Sequence, residues 1–530
     1  METVDDLFQR FEKLNAIGSA LSSERNLDRL LETILLAAKA ITHADGGTLY
    51  RMSDDRKFLR FAIVRTDSLG IAYGGTTGGP ISAQFRDLPL YRDSGEANNS
   101  LVAAYCALHD KTVNISDAYA AVGFDFSGTR RFDETTGYRS KSFLTVPMKD
   151  HENEIIGVLQ LINAVDHHAG VVCEFSAADQ RFAESLASQA AVALTNRLLV
   201  SQLEELFESF IKLINLAIDE KSPYPGGHCQ RVPALTMMLA DAVAAERTGP
   251  LAEFSMSEKD RYELKIAALL HDCGKVTTPV HVVDKATKLQ TIYDRIGVID
   301  TRFEVLRRDA EIAFLRAVAA GEGHADAERA YRQRCAQIDE DRQFLRRING
   351  GCEAMPPEEQ ERVRNISARY SWVNPQGETV DFLSDNELEN LTIRAGTLTS
   401  AERDIINHHI DATIKMLESL PWPKHLKHVP EFAGGHHERM DGNGYPKGLQ
   451  REEMSVQARI MGIADIFEAL TARDRPYKPA MKISEALRIM NRLAQTGHID
   501  PDLFDVFQRK EIYLRYAEQY LEFPQIDVSR

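Results

Sequence analysis

An adjacent histidine and aspartate, His271 and Asp272, close the apolar run LKIAALL. A helix that is apolar nearly all round is buried, so this one delivers two ligand groups to an interior site. Aspartate can bridge two cations, and histidine supplies a neutral nitrogen. By itself the pair reads more readily as a hydrogen-bonded histidine beside a helix-capping aspartate. Further groups of the same chemistry stand elsewhere: His228 after the Pro- and Gly-rich turn of AIDEKSPYPGGHCQRV, His409 in LTSAERDIINHH, the pair His436 and His437 in GGHHERMDGNGYPKGL, and Asp465 in ARIMGIADIFEALTARDRPYK. Imidazole nitrogens with carboxylates suit iron, manganese or zinc, whereas an all-oxygen shell would suit magnesium or calcium. Around Asp465, the residues Ile460, Ile463, Ala464 and Phe467 form the apolar face of a helix, and Asp465 and Glu468 share another face.

In order, spacing and composition these segments resemble the HD-GYP phosphodiesterase family over residues 216 to about 485, with the GYP at Gly444, Tyr445 and Pro446. The resemblance implies an all-α domain holding two divalent metal ions, iron or manganese. It assigns His228, His271, Asp272 and Asp465 to the first ion. Asp272 then bridges to a second ion held by His409, His436 and His437. Family members place one ligand eleven positions after the Leu of LTxxE, which from Leu398 points to His409 and leaves His408 as a polar neighbour. His271, Asp272 and Lys275 are the expected catalytic residues. Lys275, Tyr445, Arg475 and Lys478 are the expected substrate contacts, Tyr445 being suited either to stack on a base or to dock on a partner protein. Glu468 is expected to orient a ligand from behind. Two cations ~3.5–4 Å apart lower the pKa of a water between them and neutralise charge on a phosphoryl transition state.

The activity implied is hydrolysis of one phosphodiester of cyclic di-GMP. The alternative is a catalytically weak cyclic-dinucleotide receptor or signalling scaffold, which the full set of seven ligands disfavours. Some family members carry a Glu four residues before the first His that recruits a third metal; here that position is Tyr224, and Asp219 and Glu220 are out of register. Two metals, and pGpG as the main product, are therefore expected.

The elements that position these groups follow from the rest of the chain. At 530 residues, 43% apolar and 27% charged, two or three domains with real cores are expected. A formal net charge of −16 argues against DNA as a partner, because phosphate contact needs clustered Lys and Arg. No run approaches the ~18 apolar residues of a membrane span, and METVDDLFQRFEKLN has no secretory h-region, so a cytoplasmic setting is expected. Cys106, Cys173, Cys229, Cys273, Cys335 and Cys352 are scattered and read as reduced thiols.

From about residue 25 to 165 helix and strand patterns mix: LDRLLETILLAAKAI is helical, GGTLYRM and FLRFAIV are strand-like, and SFLTVPMKDHENEIIGVLQLINA reads as a hairpin turning at Lys149 to Glu154. This stretch resembles GAF domains that regulate cyclic-nucleotide phosphodiesterases, through FDETTGYRSKSFLTVPM and IIGVLQLINA. The resemblance implies a small-molecule ligand of unknown identity or a dimerisation role. Ser176 with Asp179 then opens a helix free of Pro and Gly to about Lys221. Along it Phe182, Leu186, Gln189, Ala193, Asn196, Val200, Leu203, Phe207, Phe210 and Ile214 form a heptad seam that could pair two copies into a homodimer, or pack on its own domain. Residues 290–397 read as an insertion built on an antiparallel helical hairpin. The fold class expected is an α+β GAF domain joined by a long helix to an all-α HD-GYP domain. The expected segments are an N-terminal helix (1–24), a GAF sensor (25–170), a helical linker (171–215), and the HD-GYP domain (216–530) with its insertion.

Overall fold

A computed structural model describes residues 4–24, 26–83, 85–166, 169–221, 227–352, 354–473 and 480–528. The chain forms two compact units, Met1–Phe207 and Glu208–Arg530.

The first unit is built on one sheet of strands β1 (Ala44–Met52), β2 (Phe58–Thr66), β3 (Ile71–Tyr73), β4 (Leu88–Pro89), β5 (Val113–Ile115), β6 (Phe143–Lys149), β7 (Ile155–Val165) and β8 (Val172–Cys173). Its order is β3-β2-β1-β7-β6-β5, with β4 paired to β2 and β8 to β7. The expected hairpin is β6–β7, with Val146 opposite Leu159. Its turn closes on Asp150, whose carboxylate accepts from the backbone of Glu152 and Glu154 while Asn153 takes φ +63. Side chains alternate between faces with the strand period of two. Leu49, Leu159 and Leu161 join one core with the helices Val4–Ser23, Leu27–Thr42 and the start of Ala177–Asp219. Tyr50 and Val158 face the other way, onto Ala103, Ala104 and Cys106.

The long helix Ala177–Asp219 opens as expected: Ser176 Oγ accepts from Asp179 N at 3.1 Å and the Asp179 carboxylate accepts from Ser176 N at 2.8 Å. The first half of this helix packs on its own unit, where Ala183, Leu186, Ala187, Ala190 and Leu194 are buried in the core.

The second unit is helical around the candidate site. Helix His228–Ala244 packs on Glu258–Leu270 and on Val456–Thr471. The insertion contains the expected antiparallel pair, Ile296–Ala319 and His324–Asn349. It also contains a third helix, Pro357–Arg369, a two-stranded ribbon of β9 (Ser371–Val373) and β10 (Thr379–Asp381), and the helix Asp385–Leu391. The ribbon is a departure from an all-α domain. It turns tightly because Asn374 accepts from the backbone of Gln376 and Glu378 and Gly377 takes φ +83.

These pieces close over their own core of Ile299, Phe303, Ile338, Leu345, Val363, Tyr370, Phe382 and Leu391. The hairpin alone would leave that face wet, which is why the additional elements are needed. Phe303 is 1% exposed and sits 4.5 Å from Phe382, ring centre to ring centre. Phe303→Ala is expected to lower the local opening free energy of the insertion by about 3–5 kcal/mol, measured as faster amide exchange across residues 296–391 with the first unit unaffected.

Two buried lysines anchor the insertion. Lys285 Nζ donates to Asn390 Oδ1 at 2.6 Å and to the Glu402 carboxylate at 2.7 Å. Lys288 Nζ donates to the backbone oxygens of Leu391 and Ile393. Glu402 also completes a capping box with Thr399, so the helix Ser400–Asn407 is held at its start by both partners.

Candidate metal centre

Each candidate ligand lies at or near a helix end except one. His228 begins its helix, His271 and Asp272 follow Leu270, and His409 begins the helix His409–Glu418. His436 and His437 follow the short helix Val429–Gly434, and Asp465 lies inside Val456–Thr471. The turn after Asp272 packs on the helix of His409 so closely that a Cβ on Gly274 would lie 2.0 Å from His409 O. Only glycine permits that approach, and the approach is what brings His409 beside Asp272.

The structure brings all seven together. His228 Nε2 lies 3.1 Å from Asp272 Oδ2 and 3.4 Å from Asp465 Oδ1; His271 Nε2 lies 3.3 Å from Asp272 Oδ2. On the other side, His409 Nε2 is 3.2 Å from Asp272 Oδ1. The donor atoms form two groups suited to an ion, His228–His271–Asp272 and His409–His436–His437. Asp272 presents one oxygen to each. His408, by contrast, points out to solvent and pairs with Asp411 at 3.2 Å.

The second layer sets the tautomers. Nδ1 of His271, His409 and His436 each meets the carbonyl three residues earlier, of Ala268, Ile406 and Ala433, at 2.8, 2.5 and 2.6 Å. A proton on Nδ1 turns the Nε2 lone pair toward the site. His228 Nδ1 instead meets Glu468 Oε2 at 2.5 Å, and Glu468 is buried and held by Arg231 Nε at 2.7 Å. Arg231 carries no signal in the sequence beyond lying three residues after His228 on one helix face.

A test of fit for metal ions lies in the unsatisfied atoms. Asp272 Oδ1, His409 Nε2 and His436 Nε2 are buried with no hydrogen-bond partner among the described residues. Orphaned acceptors of this kind are costly unless something electropositive meets them. The donor set, imidazole with carboxylate, fits a first-row transition ion.

Electrostatics agree. Burial, with His437 and His271 beside it, holds His436 well below the usual histidine range, and burial holds His437 down to about 4, so both present lone pairs at neutral pH. Burial opposes the ionisation of Asp272, but Lys275, His271 and His228 outweigh it and hold its carboxyl well below the usual range. Burial likewise opposes charge on His228, yet Glu468 and Asp272 push it up to about 10, so the carboxylates there favour a positive charge beside them.

Lys275 Nζ donates to Asp272 Oδ2 at 2.5 Å and lines a cavity of about 330 Å³ that opens over the ligands. Burial works against its charge, but Asp272 and Asp465 keep it protonated. Tyr445 lines the same cavity and stacks on His437, ring centres 4.9 Å apart. The loop carrying it is fastened by buried Glu438, which accepts from Lys447 N and Leu449 N. Gly444 passes so near that backbone that a Cβ would lie 2.5 Å from Glu438 Cα. Arg475, Lys478 and Tyr224 lie outside the described residues. Arg459 and His498, not singled out from the sequence, also line the cavity.

Residues 26–194 match the family model of the GAF domain, residues 226–348 that of the HD domain, and residues 383–503 a second HD domain model. The chain combines a GAF domain with an HD domain. The seven converging ligands all belong to the HD domain, which is mostly helical, and the mixed sheet to the GAF domain.

Among curated relatives, a 3'3'-cGAMP-specific phosphodiesterase of Vibrio cholerae is 47% identical over 94 residues, 18% of this chain and 20% of that protein. A second such enzyme of the same organism is 37% identical over 131 residues, 25% of this chain and 27% of its own length. A cyclic di-GMP phosphodiesterase of Pseudomonas aeruginosa is 37% identical over 115 residues, 22% of this chain and 26% of its length. The matches thus span about a quarter of those proteins. No helix among the described residues is long and apolar enough to cross a membrane.

Proposed function

We propose that this chain is a metal-dependent phosphodiesterase that hydrolyses cyclic di-GMP to pGpG in the cytoplasm, under control of its GAF domain. The observation that carries the reading is the convergence of two groups of donor atoms on either side of Asp272, with buried, orphaned atoms on the His409–His436 side. His228, His271, Asp272 and Asp465 would hold one ion, and His409, His436 and His437 with Asp272 the other; iron or manganese fits the donors. Such a pair supplies a hydroxide-like nucleophile at neutral pH and charge neutralisation for phosphoryl transfer.

The chain's own groups then have defined tasks. Lys275, kept cationic, binds a non-bridging phosphate oxygen at the cavity floor. Asp272 and Asp465 stay ionised, and His436 and His437 neutral, so that all four have lone pairs free for the ions they would hold. Glu468 fixes the ring plane of His228. Tyr445, packed on His437, walls the cavity and excludes water on that side.

The test is direct. Protein loaded anaerobically with iron or manganese and given cyclic di-GMP is expected to accumulate pGpG with about two ions per chain. Three tightly held ions, or rapid passage to GMP without pGpG, would refute the two-metal reading built on Tyr224.

A homodimer through the linker helix is part of the same proposal. On Ala177–Asp219, Val192, Leu199, Leu206 and Leu213 recur every seven residues and are 43–58% exposed, with Leu203 and Phe210 interleaved at 64% and 55%. Together with Val200 and Ile214 of the expected seam they form an apolar stripe whose heptad spacing fits a second copy of itself. Leu206→Asp should weaken self-association at least about 30-fold, the loss of one hot-spot contact, as read by light scattering across a concentration series. Unchanged association would rule out the stripe as the interface.

A further inference from the structure

Beside the ligand cluster and Lys275, the cavity is lined by the apolar residues Met440, Met454, Ile466 and Ile499 and by two further polar groups, Arg459 and His498. Neither polar group is used by the metal centre.

Arg459 shares the helix of Asp465 and lies six residues before it, about 9 Å along the axis. A ribose and its base can bridge that distance from a phosphate held at the ligands. Its Nη1 donates to buried Asp500 and its Nε to Ser455 O, while Nη2 makes no hydrogen bond among the described residues. Asp500 also accepts from Arg451 and caps the helix Pro501–Arg509, so the guanidinium is held from behind. The ring of His498 likewise makes no hydrogen bond among the described residues. Its loop is stapled to the one that follows His437: Asp441 N donates to Gly497 O at 2.9 Å, and Gly497 takes φ +72, which strains any L side chain, with a Cβ there falling a tight 3.2 Å from that of Asp441. Burial, together with the charge of Arg439, holds the His498 imidazole below its ordinary pKa, so the ring offers one N–H rather than a full charge.

A phosphate gains little among methionines and isoleucines, whereas a planar base gains apolar and thioether contact there. We infer that the part of the cavity lined by these residues is a guanine slot, with Arg459 Nη2 and His498 donating to the O6/N7 edge of a base whose phosphate lies at the ligand cluster. Guanine offers two acceptors on that edge; adenine replaces one with an N6 donor, which would meet the arginine donor to donor. The inference rests on the reading of the cavity as a cyclic di-GMP site and adds which groups read the base.

The test is equilibrium binding of hydrolysis-resistant phosphorothioate analogues of cyclic di-GMP and cyclic di-AMP to the manganese-loaded full chain. The unmodified protein should bind the guanine analogue at least about tenfold more tightly. His498→Leu, which keeps bulk but removes the donor, should reduce that preference at least about fivefold with metal content retained, and His498→Gln, which restores a donor, should recover much of it. Equal binding of the two analogues, binding of neither, or full preference in His498→Leu would overturn the slot. Guanine preference without turnover in the product assay would instead sink the catalytic reading and leave the slot standing.

Discussion

Asp272→Ala should abolish turnover and strip most of the metal, with a fall in kcat of at least about 10³-fold. Loss of a single electrostatic contact in an active site costs about 10²–10³ in rate, and here one carboxylate serves both halves of the centre. Its Oδ2 lies 3.1 Å from His228 Nε2 and its Oδ1 3.2 Å from His409 Nε2. Removing it also leaves the protonated Lys275, which is only half-buried, without its 2.5 Å partner. Metal analysis and steady-state kinetics on the same preparation check the expectation. Two ions per chain with normal turnover would show that Asp272 does not link the sites.

His409→Ala and His408→Ala should diverge sharply although the residues are neighbours. His409 is almost wholly buried, its Nδ1 tied to Ile406 O and its Nε2 orphaned beside Asp272. Its loss is expected to empty the His409–His436–His437 group and lower activity at least about 10²-fold. The side chain of His408 is 69% exposed and pairs only with Asp411, so His408→Ala should stay within about twofold, in line with a surface pair worth at most about 1 kcal/mol. The reverse order would mean that the ligand stands one residue earlier, at His408.

Features written within one turn of chain could be read from the sequence. The Ser176–Asp179 box that opens the linker helix, the β6–β7 hairpin with its Asp150 turn, and the apolar run that carries His271 and Asp272 inward all depend on residues three or four apart, or on a period of two. The donor types were equally legible, because residue identity alone states that imidazole and carboxylate are present. Each ligand histidine in the His271, His409 and His436 group is also tautomer-locked by a carbonyl three residues back, a local geometry that accompanies the helical turn itself.

What the chain could not state in advance is pairing across long separations. Lys285 meets Glu402 across a separation of 117 residues that contains the insertion, His228 meets Glu468 across 240, and Glu246 meets Arg509 across 263. Nothing in local spacing marks those partners, since a charged side chain reads as solvated until packing removes the water around it. The same holds for the insertion, whose hairpin pattern was visible but whose third helix and ribbon arise from the need to cover Phe303 and Ile338. It holds too for the cavity, which His498 and Asp465 line together although far apart in sequence, the loop of His498 being tied to Asp441 through Gly497. Sequence determined the chemistry available to this protein and the local elements that carry it. Tertiary structure alone decided which of those groups lost their water together, and a site of unpaired donors exists only where that happens.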